Sequence, residues 1–358
     1  MSRGTIAYID LGALSHNVSC VKALAPNSRI LAMIKSNAYG HGLIQVAQYL
    51  SEVDAFGVAC LDEALSLRTA GIVKPIVVMA GCFDNEEVRA YFEHDFTPVL
   101  HSFYQVEAIQ SLGAVKPINA WIKVDTGMHR LGFAPDQLQA VYQALQPCGA
   151  LIKPLSVMTH LSDADNVNTS YTFSQLNTFM QFTQAIDGPK SIANSAAILF
   201  YPVSHLDWVR PGIMMYGVSP RASQTGADYD LKPAMTLTAK LIAIKKLRKG
   251  DSVGYGCKGQ CPEAMNIGVV SIGYGDGYPR HAKNGTPTLL GGQVCPLIGR
   301  VSMDMITIDL RAVPGAAIGD EVTLWGKELP VETVARHSDT IGYELLCGVT
   351  RRVQFCYE

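Results

Sequence analysis

Short aliphatic runs recur along the first two thirds of the chain, and polar stretches with apolar residues every three or four positions separate them. The runs predict strands over 30–34, 55–59, 76–80, 96–100, 120–124, 155–159, 191–193 and 208–213, each bounded by turn-forming residues. Between them the spacing predicts helices, among them 43–50, 61–70, 85–93 and 171–185. Eight strands alternating with helices is the pattern of a (β/α)8 TIM barrel. An open doubly wound sheet fits less well, because it would carry a glycine-rich turn after its first strand.

The rhythm changes after about residue 225. Helical spacing nearly vanishes and β-type segments appear at 235–244, 267–272, 305–310 and 321–324, with frequent Gly and Pro. This reads as a separate all-β domain. Near the N-terminus, 5–11 predicts a strand that such a domain can recruit, and 12–24 a helix with Leu14, Val18, Val21 and Leu24 on one face. The expected organisation is therefore a barrel over 12–225 and a C-terminal β-domain over 226–358 completed by 1–11.

A length of 358 residues agrees with two domains. The net charge of −2 offers no basic footprint for nucleic acid. The one basic run, Lys245 to Lys249, reads as a solvated turn between strands. No apolar stretch is long enough to span a bilayer, and Met1 to Asn17 lacks the apolar centre of a signal peptide, so the expected location is the cytoplasm. Nine irregularly spaced cysteines fit a reducing compartment. Cys257 and Cys261 lack the second pair or clustered histidines a zinc site needs, and no metal is expected. Gly254 to Gly259 matches G-x-G-x-x-G by letter, but Cys261-Pro262 follows where a helix would have to start, which excludes a dinucleotide site.

The chemistry lies where strands end. Lys35 closes the first barrel strand in MIKSNAYGHG (33–42), and an ammonium there must reach solvent, meet an anion or be converted chemically, for example to an imine. Lys123 and Asp125 end the fifth strand, His160 the sixth, and Asn194 and Ser195 the seventh, while Arg210 and Gly212 lie on the eighth. In a barrel these all face one mouth. Ser195 and the backbone around Gly212 and Ile213 offer donors for a phosphate in the loops after strands seven and eight. A lysine opposite a phosphate site implies an aldehyde carrying a phosphate, and pyridoxal phosphate fits both halves.

The segment from Lys35 resembles the pyridoxal-phosphate lysine motif of alanine racemases, K-A-[DN]-A-Y-G-H-G, with Ser36 as its one departure. VDTGMHRLG (124–132), ANSAA (193–197), RPGIMMYG (210–217), VGYG (253–256), IGYGDG (272–277) and GRVSMD (299–304) resemble further motifs of that family in the family's order. The resemblance covers essentially the whole chain. It implies a homodimer that interconverts L- and D-alanine on pyridoxal 5'-phosphate and supplies D-alanine for peptidoglycan.

By that resemblance Lys35 forms the imine and serves as base for the D-enantiomer, and Tyr255 of the partner subunit serves the L-enantiomer. Proton removal and return on opposite faces of Cα needs two such groups. The same resemblance gives Arg210 to the pyridine nitrogen, His160 to the support of Tyr255, and Tyr39, Ser195, Gly212, Ile213 and Tyr343 to the phosphate. It gives Arg130 to the cofactor's phenolic oxygen and, with the Met303 N–H, to the substrate carboxylate, Tyr274 and Tyr343 to a narrow entrance, and a carbamate to Lys123. A decarboxylase of related fold would carry an acid in place of Arg210, and a non-catalytic pyridoxal-phosphate carrier would lack the second domain and Tyr255. Serine differs from alanine by one hydroxyl, which a pocket rejects only modestly.

Overall fold

The computed structural model describes residues 4–112, 116–167 and 169–358. The chain divides into two compact units. A barrel unit comprises Val18–Ala38 and Gly42–Gly212; a sheet unit comprises the described part of Met1–Asn17, Tyr39–His41 and Ile213–Glu358.

In the barrel unit the strands Arg29–Met33, Ala55–Val58, Ile76–Val78, Phe96–Leu100, Trp121–Lys123, Ser156–Met158, Lys190–Asn194 and Trp208–Arg210 close on themselves in chain order. All neighbours are parallel, and the last strand pairs with the first through Arg29↔Trp208 and Ile30↔Val209. Strands covered on both faces need apolar residues throughout, which is why they read as runs rather than alternations. Ile30, Leu31, Val58, Val78, Val99, Ile122 and Val157 are fully or almost fully buried, and each such side chain contributes about 1.5–3 kcal/mol. Around the strands the helices take ordinary caps: the Asp84 carboxylate accepts from Glu86 N and Glu87 N, both at 2.9 Å, and starts Asn85–His94.

At the end where strands begin, Trp121 packs edge-on against Trp208 at 5.8 Å and the Arg29 guanidinium lies 4.3 Å over Trp208. The final strand stops at Arg210, short of the expected 213. Pro211 has no N–H to extend the ladder, although its carbonyl still accepts from Met33 N at 2.9 Å.

In the sheet unit the strand Met235–Leu247 is the hub. It runs antiparallel to Ile6–Ile9, to Met265–Val270 and to Glu321–Trp325, with register shifts at Leu237/Thr238 and Leu241/Ala243 that let one strand serve several partners. Ile6–Ile9 also runs parallel to Gln354–Tyr357, so the first and last strands of the chain are neighbours. The expected all-β character needs a correction: Val331–His337 and Gly342–Cys347 are helices. Both are short and have no side-chain N-cap, so neither leaves a start signal in the sequence. Among the described residues no helix is long and apolar enough to cross a membrane.

Candidate active site

The strand Arg29–Met33 delivers Lys35 to a segment that sequence reading treats as an ordinary loop. Lys35–Gly40 is instead a helical turn with φ of +56° at Ser36, +54° at Asn37, +53° at Ala38, +52° at Tyr39 and +83° at Gly40. It is a left-handed helix with four consecutive non-glycine residues. At roughly 1–2 kcal/mol for each L-residue, the cost is on the order of 4–8 kcal/mol. Local bonds offset part of it: Ala38 N donates to Ile34 O at 2.8 Å, Gly42 N to Asn37 O at 3.0 Å and Leu43 N to Asn37 Oδ1 at 2.9 Å. The Glu63 carboxylate accepts from Ser36 N at 2.6 Å.

The barrel unit gathers the expected strand-end residues into one electrostatic cluster. Lys123 is buried, and burial together with the charges of Arg210, Arg130 and Lys35 pushes its ammonium down to about 8, against a weaker pull from Asp125. Burial alone would raise Asp125, yet His129 N at 2.9 Å and Gly127 N at 3.0 Å hold its carboxyl below the ordinary range. His160 is held well below the usual imidazole range by burial and then by Arg210, Arg130, Lys123 and Lys35. It is therefore neutral at pH 7. Its Nδ1 lies 3.5 Å from Arg210 Nη2, an atom that can only donate, so Nδ1 is the acceptor and the proton sits on Nε2.

Arg210 is buried, and burial lowers it to about 9, still charged at neutral pH. Nη1 donates to Ser191 Oγ at 2.6 Å, and Nη2 donates to Thr159 O at 2.6 Å and Ile192 O at 3.1 Å. No described residue accepts from Nε. Nearby, Ser195 opens the helix Ser195–Phe200, and its Oγ accepts from Gly212 N at 2.8 Å. The loop bearing His160 is held by Gln175, whose Nε2 donates to His160 O at 3.2 Å and whose Oε1 accepts from Ser162 N at 3.0 Å.

The remaining expected residues belong to the sheet unit. Tyr39 is buried, stacks on Tyr216 at 4.8 Å and lies 6.2 Å from Tyr343; burial drives its phenol well above the ordinary range. Ile213 is fully buried. Tyr274 and Met303 sit on two loops laced together, with Tyr274 N donating to Ser302 O at 3.0 Å and Gly275 N to Met303 O at 2.9 Å. Arg352 spans the same loops, 3.2 Å from Asp276 and 2.5 Å from Asp304. Tyr255 is 69% exposed on a tight turn between Gly254, at φ +75°, and Gly256, at φ +69°. Asn284 braces that turn by donating to Lys258 O at 2.8 Å and accepting from Gly299 N at 2.7 Å.

The barrel mouth thus presents Lys35, Lys123, Arg130 and Arg210 around a neutral histidine, with Asp125 turned to its own loop. Such a donor set calls for an anionic ligand. Glu63, Gln175, Asn284 and Arg352 escape sequence reading because each acts on backbone or loops distant in the chain.

Two family models match in succession: "Alanine racemase, N-terminal domain" over residues 9–220 and "Alanine racemase, C-terminal domain" over 234–357. The chain is 53% identical over 360 residues to the alanine racemase of Coxiella burnetii (strain CbuG_Q212) and 45% identical over 357 residues to that of Photobacterium profundum; in both cases 99% of each chain is covered. Among solved structures, the biosynthetic alanine racemase from Pseudomonas aeruginosa superposes with a TM-score of 0.96 at 43% identity, covering 99% of each chain. The alanine racemase from D-cycloserine-producing Streptomyces lavendulae gives 0.93 at 32%, covering 100% of this chain and 98% of the other.

Proposed function

We propose, on the premise that this chain belongs to the alanine racemase family and is an isomerase interconverting L- and D-alanine, that it works with pyridoxal 5'-phosphate at the barrel mouth and with two bases on opposite faces of the substrate. The observation that carries this reading is the cluster of Lys35, Lys123, Arg130 and Arg210 at one mouth, where burial and then the surrounding positive charge depress Lys123 and His160. An aldehyde bearing a phosphate supplies the missing negative charge and a partner for a lysine. When bound, pyridoxal phosphate supplies an electron-withdrawing conjugated ring that weakens the Cα–H bond.

The chain's own groups do the rest. Ser195, the backbone of Gly212 and Ile213, Tyr39 and Tyr343 would hold the phosphate. Arg210, always a donor, would meet the pyridine nitrogen and favour its unprotonated form, which would limit charge delocalisation and side reactions. Lys35 takes and returns the proton on the face used by D-alanine, and Tyr255 of the partner subunit does so on the L-face. A phenol titrating near 10 is a weak base at pH 7, and His160 assists it with the Nε2 proton left outward by its contact with Arg210. Arg130 and the Met303 N–H hold the substrate carboxylate, while Tyr274 and Tyr343 keep the entrance narrow.

With its ammonium near 8, Lys123 is neutral in roughly a tenth of molecules at pH 7. In this reading that neutral amine bonds to carbon dioxide and loses a proton, and the resulting carbamate attracts Arg130. The active enzyme is a cytoplasmic homodimer supplying D-alanine for peptidoglycan. Its cofactor lies within 12–225, and its second base lies on 226–358 with 1–11.

The test is solvent-deuterium exchange at Cα with L- and D-alanine, in wild type and Tyr255→Phe. The variant should lose exchange from L-alanine by about 10²- to 10⁴-fold while retaining the cofactor. Equal loss of exchange and cofactor would make Tyr255 a structural residue and refute the two-base scheme.

A further inference from the structure

The left-handed turn that carries Lys35 is gripped from outside by a carboxylate that the reaction scheme leaves unused. Glu63 stands in the first turn of the helix Leu61–Thr69. Its Oε1 accepts from Ser36 N at 2.6 Å and its Oε2 from Ala59 N at 2.8 Å. Ala59 directly follows the strand Ala55–Val58, which is the barrel neighbour of Arg29–Met33. One carboxylate therefore ties the C-terminal ends of two adjacent strands.

The two bonds have different standing. The bond to Ala59 lies just before the helix start and resembles the local reach of a glutamate in a capping box. The bond to Ser36 crosses 27 positions of sequence and serves no helix end. It engages the peptide N–H immediately after Lys35, at the first residue with positive φ. A charged acceptor makes the stronger kind of hydrogen bond. At Ser36 it fixes the plane of the Lys35–Ser36 peptide, from which the left-handed path departs.

We infer that Glu63 is a positioning residue for Lys35: by holding the Ser36 N–H it fixes the peptide from which the lysine side chain springs, and so the direction from which the amine meets cofactor and substrate. The inference rests on the reading of Lys35 as the cofactor lysine.

The test uses the full-length holoenzyme and three variants, Glu63→Gln, Glu63→Ala and Glu63→Gln/Ser36→Gly. The readouts are amide exchange over 34–42, affinity for added pyridoxal phosphate followed by absorbance, kcat against KM, and the unfolding midpoint. Loss of the bond should raise exchange at the Ser36 amide by about tenfold or more. It should weaken cofactor affinity and lower kcat by a similar factor, with KM and the midpoint nearly unchanged. Adding Ser36→Gly should restore a large part of kcat, because glycine takes positive φ freely.

Unchanged exchange at Ser36 in both single variants would overturn the clamp. So would a loss of kcat that tracks a falling midpoint and is not rescued by Ser36→Gly. Raised exchange with cofactor affinity and kcat untouched would overturn the inference and leave the reading of Lys35 standing, whereas a wild type that takes up no pyridoxal phosphate would remove that reading itself.

Discussion

Lys123→Met tests the electrostatics of the barrel mouth through stability rather than turnover. Lys123 is 6% exposed, and its ammonium titrates near 8 in the fold against 10.5 for a free lysine. At 1.36 kcal/mol per unit, the unmodified charged amine costs the folded state about 3 kcal/mol at pH 7. The sign follows from proton binding. The unfolded chain holds this proton more tightly, so the cost is fully present below about pH 8 and disappears as pH rises from about 8 towards 10.5. Methionine keeps the length and removes the charge.

The assay is denaturant unfolding at pH 7 and at pH 9.5, followed by tryptophan fluorescence, since Trp121 and Trp208 pack together within the barrel. In carbon-dioxide-free buffer the variant should gain up to about 3 kcal/mol at pH 7 and lose the rise in stability that wild type shows above pH 8. Bicarbonate should stabilise wild type and leave the variant unmoved. A variant less stable than wild type at pH 7, with the same pH dependence, would refute the account of crowded positive charge.

Two further predictions concern the sheet unit. Gly40→Ala places a Cβ 2.0 Å from Leu346 O at a φ of +83°, and should cost more than about 3 kcal/mol, read as a lowered unfolding midpoint. Glu332 is buried, and burial raises its carboxyl despite the Ser219 and Gly226 N–H groups bonded to Oε1 at 2.9 Å each. Wild type should therefore gain stability as pH falls from its raised folded value towards its ordinary one; Glu332→Gln, whose amide oxygen can keep both bonds, should flatten that part of a pH series of midpoints.

Much of the fold is legible because strands buried on both faces have little choice of residue, as in 30–34 and 96–100, and because the intervening helices keep their 3.6-residue period. The strand-end polar residues are legible for the same reason: a charge that interrupts an apolar run marks the point where the core ends. What stays hidden is conformation imposed from a distance. Nothing in Ser36, Ala38 or Tyr39 favours positive φ, and only Asn37 and Gly40 tolerate it readily. The clamp residues Glu63 and Asn284 are equally silent, since the bonds from Ser36 to Glu63 and from Gly299 to Asn284 span 27 and 15 positions. The helix Gly342–Cys347, which carries Tyr343, is too short to show a period.

The parallel pairing of Ile6–Ile9 with Gln354–Tyr357 also sets an order of events during synthesis. At roughly 5–20 residues per second, the last strand is made about 17–70 s after the first. Throughout that time Ile6–Ile9 has no partner on that edge, and Leu11 N, which donates to Glu358 O in the folded protein, must wait for Glu358. The eight-stranded sheet thus gains its Gln354–Tyr357 edge only after its other strands have been made, whereas all the barrel strands have been made once Arg210 is added. A chain truncated by even its last strand would leave the edge of Ile6–Ile9 exposed, open to pairing with another chain.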